Sequence, residues 1–199
     1  MAAPHEKIKA PEESSHGGAS ALQGGASVAP QRFRNLMAAV CAPVTVVTTS
    51  VDGAPFGATV SSFASLSLDP PLVSVAFDRR SLLLHRIQEA GRFGVNLLGH
   101  GQADLAMLFA TRGQDRFGGT AWHYDNGLPR LEGTAGWATC DLYRTVEGGD
   151  HLLLFGLVRG ASHTELPPLV YAHRTFGTHS RYDQRPRPRI VDQIAACRR

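Results

Sequence analysis

Residues 44–49, Val-Thr-Val-Val-Thr-Thr, are β-branched without a break. Two heavy substituents on every Cβ stiffen χ1 and suit a pleated strand better than a helix. Asp52-Gly53 follows, a pair that accepts the positive φ of a tight hairpin turn. Residues 56–60 form the return strand. This hairpin limits what the chain can become, and later segments repeat its logic. Strands are predicted over 72–77, after Pro70-Pro71, and over 93–98, 137–146 and 151–159. Gly148-Gly149-Asp150 turns the chain between the last two, and shorter strands are predicted at 169–172 and 174–177. Helical spacing appears over 31–40 (Phe33, Leu36, Met37, Val40), over 82–90 behind an N-cap at Ser81, and over 102–110. About three helices and seven strands that do not alternate argue for a mostly antiparallel β-barrel with inserted helices, not a doubly wound sheet.

A chain of 199 residues suits one domain, and 43% hydrophobic residues with a net charge of +3 exclude disorder along its whole length. The organisation expected is a disordered Gly/Ser-rich leader over 1–29, a folded unit over 30–180 and a basic Pro/Arg tail over 181–199. The tail accounts for the basic balance, because 30–180 holds twelve Arg and twelve acidic residues. A nucleic-acid partner would need basic residues clustered on folded structure, so none is expected. The apolar runs 43–47, 82–84 and 152–155 fall far short of a bilayer span, and no signal peptide is read at the start. Cys41, Cys140 and Cys197 form no CxxC pair, which fits a reduced cytoplasmic setting. The nine histidines show no metal-ligand spacing, so no metal is expected.

Neither a phosphate-binding Gly loop nor a GxSxG nucleophile elbow is present. Three other segments carry chemistry. Thr59, Ser61, Ser62, Ser65 and Ser67 place five hydroxyls within nine residues, read as a strand end entering a loop. Such groups suit a phosphate or the polar edge of a heterocycle, although composition alone gives only a Ser-rich loop. Asp78-Arg79-Arg80-Ser81 puts two guanidiniums at a helix start, a favourable anion site or otherwise a solvated turn. Gly149-Asp150-His151 presents an imidazole as a strand begins.

In chain order, GATVSSFASLSLDPPLVSVAF from Gly57, then DRRS, RFGVNLL, LFA and GGDHLLLFGLV resemble the short-chain flavin reductase family. These are the small reductase components of two-component flavin-dependent monooxygenases. The resemblance spans about 30–178 and implies an FMN-binding split β-barrel, antiparallel with Greek-key connections and homodimeric. It implies hydride transfer from NADH (NADPH possible) to FMN or FAD. Reduced flavin would then diffuse to a partner monooxygenase. Thr59, Val60, Ser61, Ser62 and Phe63 would follow the isoalloxazine edge, and Ser65 and Ser67 the ribityl and phosphate part. Phe77, Asp78, Arg79, Arg80 and Ser81 would hold the phosphates or the adenosine of FAD. Asn96, Phe109 and Ala110 would complete the pocket, and His151 would meet the nicotinamide. Phe176 stands where relatives commonly carry a Tyr over the dinucleotide. The competing reading is a non-catalytic flavin- or haem-binding split-barrel carrier or sensor. An oxidase of pyridoxamine phosphate ranks below both, since it would want more basic phosphate ligands. A nicotinamide contact at His151 favours the enzyme.

Overall fold

The computed structural model describes residues 28–179; the leader up to residue 27, the tail and Cys197 lie outside the described residues. The chain opens with α1 (Pro30–Ala38) and the short β1 (Ala42–Pro43), then forms the hairpin β2 (Thr45–Val51) and β3 (Ala54–Val60). A second hairpin, β4 (Ala64–Leu68) and β5 (Pro71–Asp78), leads into α2 (Leu82–Ala90). β6 (Arg92–Leu97), α3 (Ala103–Ala110) and the hairpin β7 (Trp122–Asp125) and β8 (Leu128–Leu131) come next. The long hairpin β9 (Gly136–Gly148) and β10 (His151–His163) precedes the small strands β11 (Val170–Ala172) and β12 (Thr175–Gly177).

Among the described residues the three helices lie where helical spacing put them, but the strands number twelve rather than about seven. Three of the added strands, β4 and the β7–β8 hairpin, correct the sequence reading. The later part of the Ser-rich stretch, with Ser65 and Ser67, is not loop. It becomes β4, paired with β5 from Ala64↔Ser74 to Leu68↔Pro71. Its Ser-Leu alternation is the period-2 pattern of a strand. The β7–β8 hairpin turns at Asn126-Gly127 with φ of 51° and 75°, the same values as Asp52-Gly53. That signal stood in the sequence and identifies a hairpin as clearly as the first one.

Seven strands form one antiparallel sheet in the order β3-β2-β6-β9-β10-β5-β4. Its two edges are β3 and β4, which are neighbours in sequence with only residues 61–63 between them. An extended residue spans at most about 3.6 Å, so the sheet must curl until its edges nearly meet there. The result is a split barrel. Ser62 bridges the split, because its hydroxyl donates to the Ala76 carbonyl (3.0 Å) and accepts from the Ala76 N–H (2.9 Å). A side chain thus continues the β5 ladder beyond the last β4 pair.

The barrel has a core on each side of β2. Val47, Val75, Phe93, Val95 and Leu154 pack against Leu83, Leu84 and Ile87 of α2. Val46, Leu98, Leu131 and Leu169 pack against Ala106 and Phe109 of α3. Val46 and Val47 are successive residues on opposite faces, and both are fully buried. A strand covered on both faces needs no polar alternation, which is why residues 44–49 are β-branched throughout.

Candidate active site

The split in the barrel opens into a cleft of about 910 Å³ where four parts of the fold converge. The end of β3 and the turn after it contribute Ala58, Thr59, Val60, Ser61 and Ser62. The β5–α2 corner contributes Ala76, Phe77, Asp78, Arg80, Ser81, Leu82 and Leu83. The end of α3 and the segment beyond it add Phe109, Ala110, Arg112, Gly113 and Arg116, and β10 adds His151. The hydroxyl-rich turn and the helix start predicted to form one site therefore share one cavity.

Local chemistry sets each position. Thr59 Oγ1 donates to the Ala106 carbonyl (2.6 Å) and ties β3 to α3, which places Phe109 and Ala110 on the cleft. Ser81 caps α2 by accepting from the Leu84 N–H (3.4 Å), so the helix starts at the cavity wall. Gly91, at φ 67°, ends that helix. His151 is the first residue of β10 and pairs across the strands with Asp78 at the last position of β5. Its Nδ1 lies 2.7 Å from Asp150 Oδ1, which fixes the ring's orientation at the cleft.

The charges are arranged just as locally. Arg80 forks onto Asp78, with Nε to Oδ1 at 3.1 Å and Nη2 to Oδ2 at 2.8 Å, and its main-chain N–H also donates to Oδ1 (2.8 Å). These hydrogen bonds hold the Asp78 carboxyl well below the usual carboxylate range. The hydrogen bond to His151 likewise lowers Asp150. Arg116 donates to the carbonyls of Gly57 and Thr111, and partial burial lowers its pKa from the ordinary value.

Eleven of the residues expected at the site line the cleft: Thr59, Val60, Ser61, Ser62, Phe77, Asp78, Arg80, Ser81, Phe109, Ala110 and His151. The other six lie elsewhere. Phe63 packs on the inner core. Ser65 and Ser67 are on the edge strand β4. Arg79 binds the Gly149 carbonyl (3.1 Å) and Glu147 (3.3 Å) on the β9–β10 hairpin. Asn96 is fully buried, donating to the Val46 carbonyl (3.1 Å) and accepting from the Leu131 N–H (2.8 Å). Phe176 packs beside Tyr171 with ring centroids 5.1 Å apart. The sequence reading missed Arg112 and Arg116. The available signal was two guanidiniums within five residues, directly after a helix that already contributed Phe109 and Ala110.

A family model described as a flavin reductase-like domain matches residues 37–180. The chain belongs to that family. This flavin reductase-like protein is 39% identical to a flavin reductase of Pseudomonas putida over 67% of its own length and 79% of the relative's. It is 37% identical to the reductase component of a 4-nitrophenol 4-monooxygenase/4-nitrocatechol 2-monooxygenase of Rhodococcus opacus, covering 73% and 78% of the two chains. Among solved structures it matches an NADH:FAD oxidoreductase of Streptomyces globisporus, determined with NAD and FAD fragments, at a TM-score of 0.75 and 28% identity. That match covers 81% of this chain and the whole of the other. The chain is thus an oxidoreductase with the split-barrel fold. The donor set of its cleft fits a flavin nucleotide. Ala58, Ala76, Phe77 and Phe109 offer apolar walls, while Ser61 and the guanidiniums of Arg80, Arg112 and Arg116 offer a polar, cationic rim.

Proposed function

We propose that this protein is an NAD(P)H:flavin oxidoreductase that takes a hydride from NADH to reduce FMN or FAD. The reduced flavin is released to serve a partner monooxygenase by diffusion. The observation that carries this reading is the convergence of the 59–62 turn, the start of α2, the end of α3 and His151 on one open cleft. A bound flavin supplies a ring that accepts a hydride at one face, a step that needs positioning more than acid–base catalysis.

The chain's own groups do the holding. Phe77 and Phe109, 5% and 0% exposed, form a rigid apolar floor. Ser61 keeps a free hydroxyl at the rim, because Thr59 and Ser62 have committed theirs to main-chain partners. His151, oriented by Asp150, presents its ring for the nicotinamide. The openness of the cleft suits a flavin that must leave after each turnover. All lining residues fall within 30–180, which we take as the functional unit.

We also propose a homodimer in the cytoplasm. Among the described residues no helix is long and apolar enough to cross a membrane. A carrier without turnover would leave the His151 geometry without a use. The test is spectroscopic: purified protein, flavin and NADH are mixed without air and the visible flavin band is followed. Catalytic bleaching supports the enzyme, whereas a stable flavin spectrum with tight binding would establish the carrier.

A further inference from the structure

The cations at the cleft divide sharply by what they already hold. Arg79 is engaged with Gly149 and Glu147 and does not line the cavity. Arg80 lines it, but its guanidinium forks onto Asp78, so the two charges cancel. The helix start predicted as the anion site thus carries no spare formal charge. Arg116 differs. Its partners are the carbonyls of Gly57 and Thr111, which satisfy its N–H groups without neutralising it. The neighbouring Asp115 carboxylate accepts instead from the main-chain N–H groups of Phe117 (3.1 Å) and Gly118 (2.9 Å). Arg112, four residues earlier, lines the cleft with no hydrogen bond or ion pair among the described residues. Gly113, at φ 76°, turns the chain directly after it. Arg116 then pins the segment back onto β3 through Gly57.

The cleft therefore has an uncompensated positive rim on the segment after α3. We propose that Arg112 is the cation that contacts the phosphate of the bound nucleotide, with Arg116 holding its segment in place. The ligand chemistry is a phosphomonoester or pyrophosphate. It is carried by FMN or FAD, or by the 2′-phosphate that distinguishes NADPH from NADH. This proposal rests on the reading of the cleft as the flavin site. It moves the phosphate contact from Arg79 and Arg80, whose guanidiniums are engaged, to a residue whose guanidinium is free. A guanidinium binds phosphate through paired charge-assisted N–H donors, so its removal has a measurable cost.

The test is equilibrium binding on the full chain. Riboflavin, FMN and FAD are titrated by quenching of flavin fluorescence, and NADH and NADPH by calorimetry. The proteins are wild type, Arg112→Ala, Arg112→Lys and Arg112→Glu. Arg112 is exposed and unbonded, so these variants keep the fold, which a thermal melt verifies. If the phosphate is the flavin's, the preference for FMN over riboflavin falls about tenfold in R112A, the scale of one charged hydrogen bond. The preference falls further in R112E and returns in part in R112K. If the phosphate belongs to the dinucleotide, the preference for NADPH over NADH falls instead while the FMN preference holds. Wild-type flavin binding with both preferences unchanged in R112A and R112E overturns the assignment to Arg112. Failure of the wild type to bind any of the three flavins would overturn the reading of the cleft itself, and this inference with it.

Discussion

His151 shows what a single residue at the cleft contributes. It stands opposite Asp78, directly after the turn of the β9–β10 hairpin, with one ring nitrogen held by Asp150. The ring is oriented before any ligand arrives. His151→Ala should raise the KM for NADH about tenfold, the size of one lost positioning contact. The Kd for oxidised FMN should change by less than about twofold. Steady-state kinetics and a flavin titration read both quantities, and an unchanged KM would remove His151 from the nicotinamide site. Cysteine chemistry gives a second residue-scale outcome. Burial pushes the Cys140 thiol up to about 12, whereas Cys41 is exposed. Brief alkylation of the native protein at mildly alkaline pH, followed by peptide mapping, should label Cys41 and leave Cys140 unlabelled until denaturant is added. The hydroxyls were legible in the sequence as a cluster, but their individual fates were not. Thr59 meets a carbonyl 47 residues away and Ser62 a main chain 14 residues away. Only the folded chain shows that Ser61 alone of the three is left for a ligand.

At the scale of elements, local signals did most of the placing. The β2–β3 hairpin, the Ser81-capped helix α2 and the His151 strand start lie where turn chemistry and capping put them. The Ser-Leu alternation of β4 competes with its high polar count, and Asn126-Gly127 carries the same turn chemistry as Asp52-Gly53. Asn96 is placed by a different kind of contact. Its motif supports a site role, yet its amide replaces missing main-chain partners between β2, β6 and β8 inside the core. Close packing between strands also explains a glycine no periodicity could flag. A Cβ on Gly94 would overlap the Trp137 indole and lie 2.8 Å from Thr48 Oγ1, both on neighbouring strands. Trp137 is 4% exposed and cannot swing away. Gly94→Ala should therefore destabilise the protein by about 1–3 kcal/mol, as overpacked cores do, lowering the denaturant midpoint with little change in slope. A midpoint at or above the wild-type value would show that the barrel wall yields there.

At the scale of the molecule, α1 poses the main question of stability. It is nine residues long and buries none of them, and Phe33, Leu36, Met37 and Val40 are all about half or more exposed. A helix that short is marginal in water without packing. Among the described residues its hydrogen-bonded neighbours give it little: the His173 N–H donates to the Ala38 carbonyl, and Arg174 donates to Asn35. The edge strand β4 adds Leu66 and Leu68, the latter 91% exposed. Edge strands with bare leucines invite pairing or cover, and exposed apolar stretches of this kind mark interaction surfaces. A second copy of the chain would supply cover for both, and light scattering after gel filtration should then give about twice the 21.4 kDa of one chain. Phe33→Asp combined with Leu36→Asp places two charges on the apolar face of α1. If that face lies in the interface, the variant should elute as a monomer and the loss should deepen on dilution. A variant that stays dimeric while keeping its fold would take α1 out of the interface and leave the β4 edge, where Leu68→Lys makes the same measurement decisive.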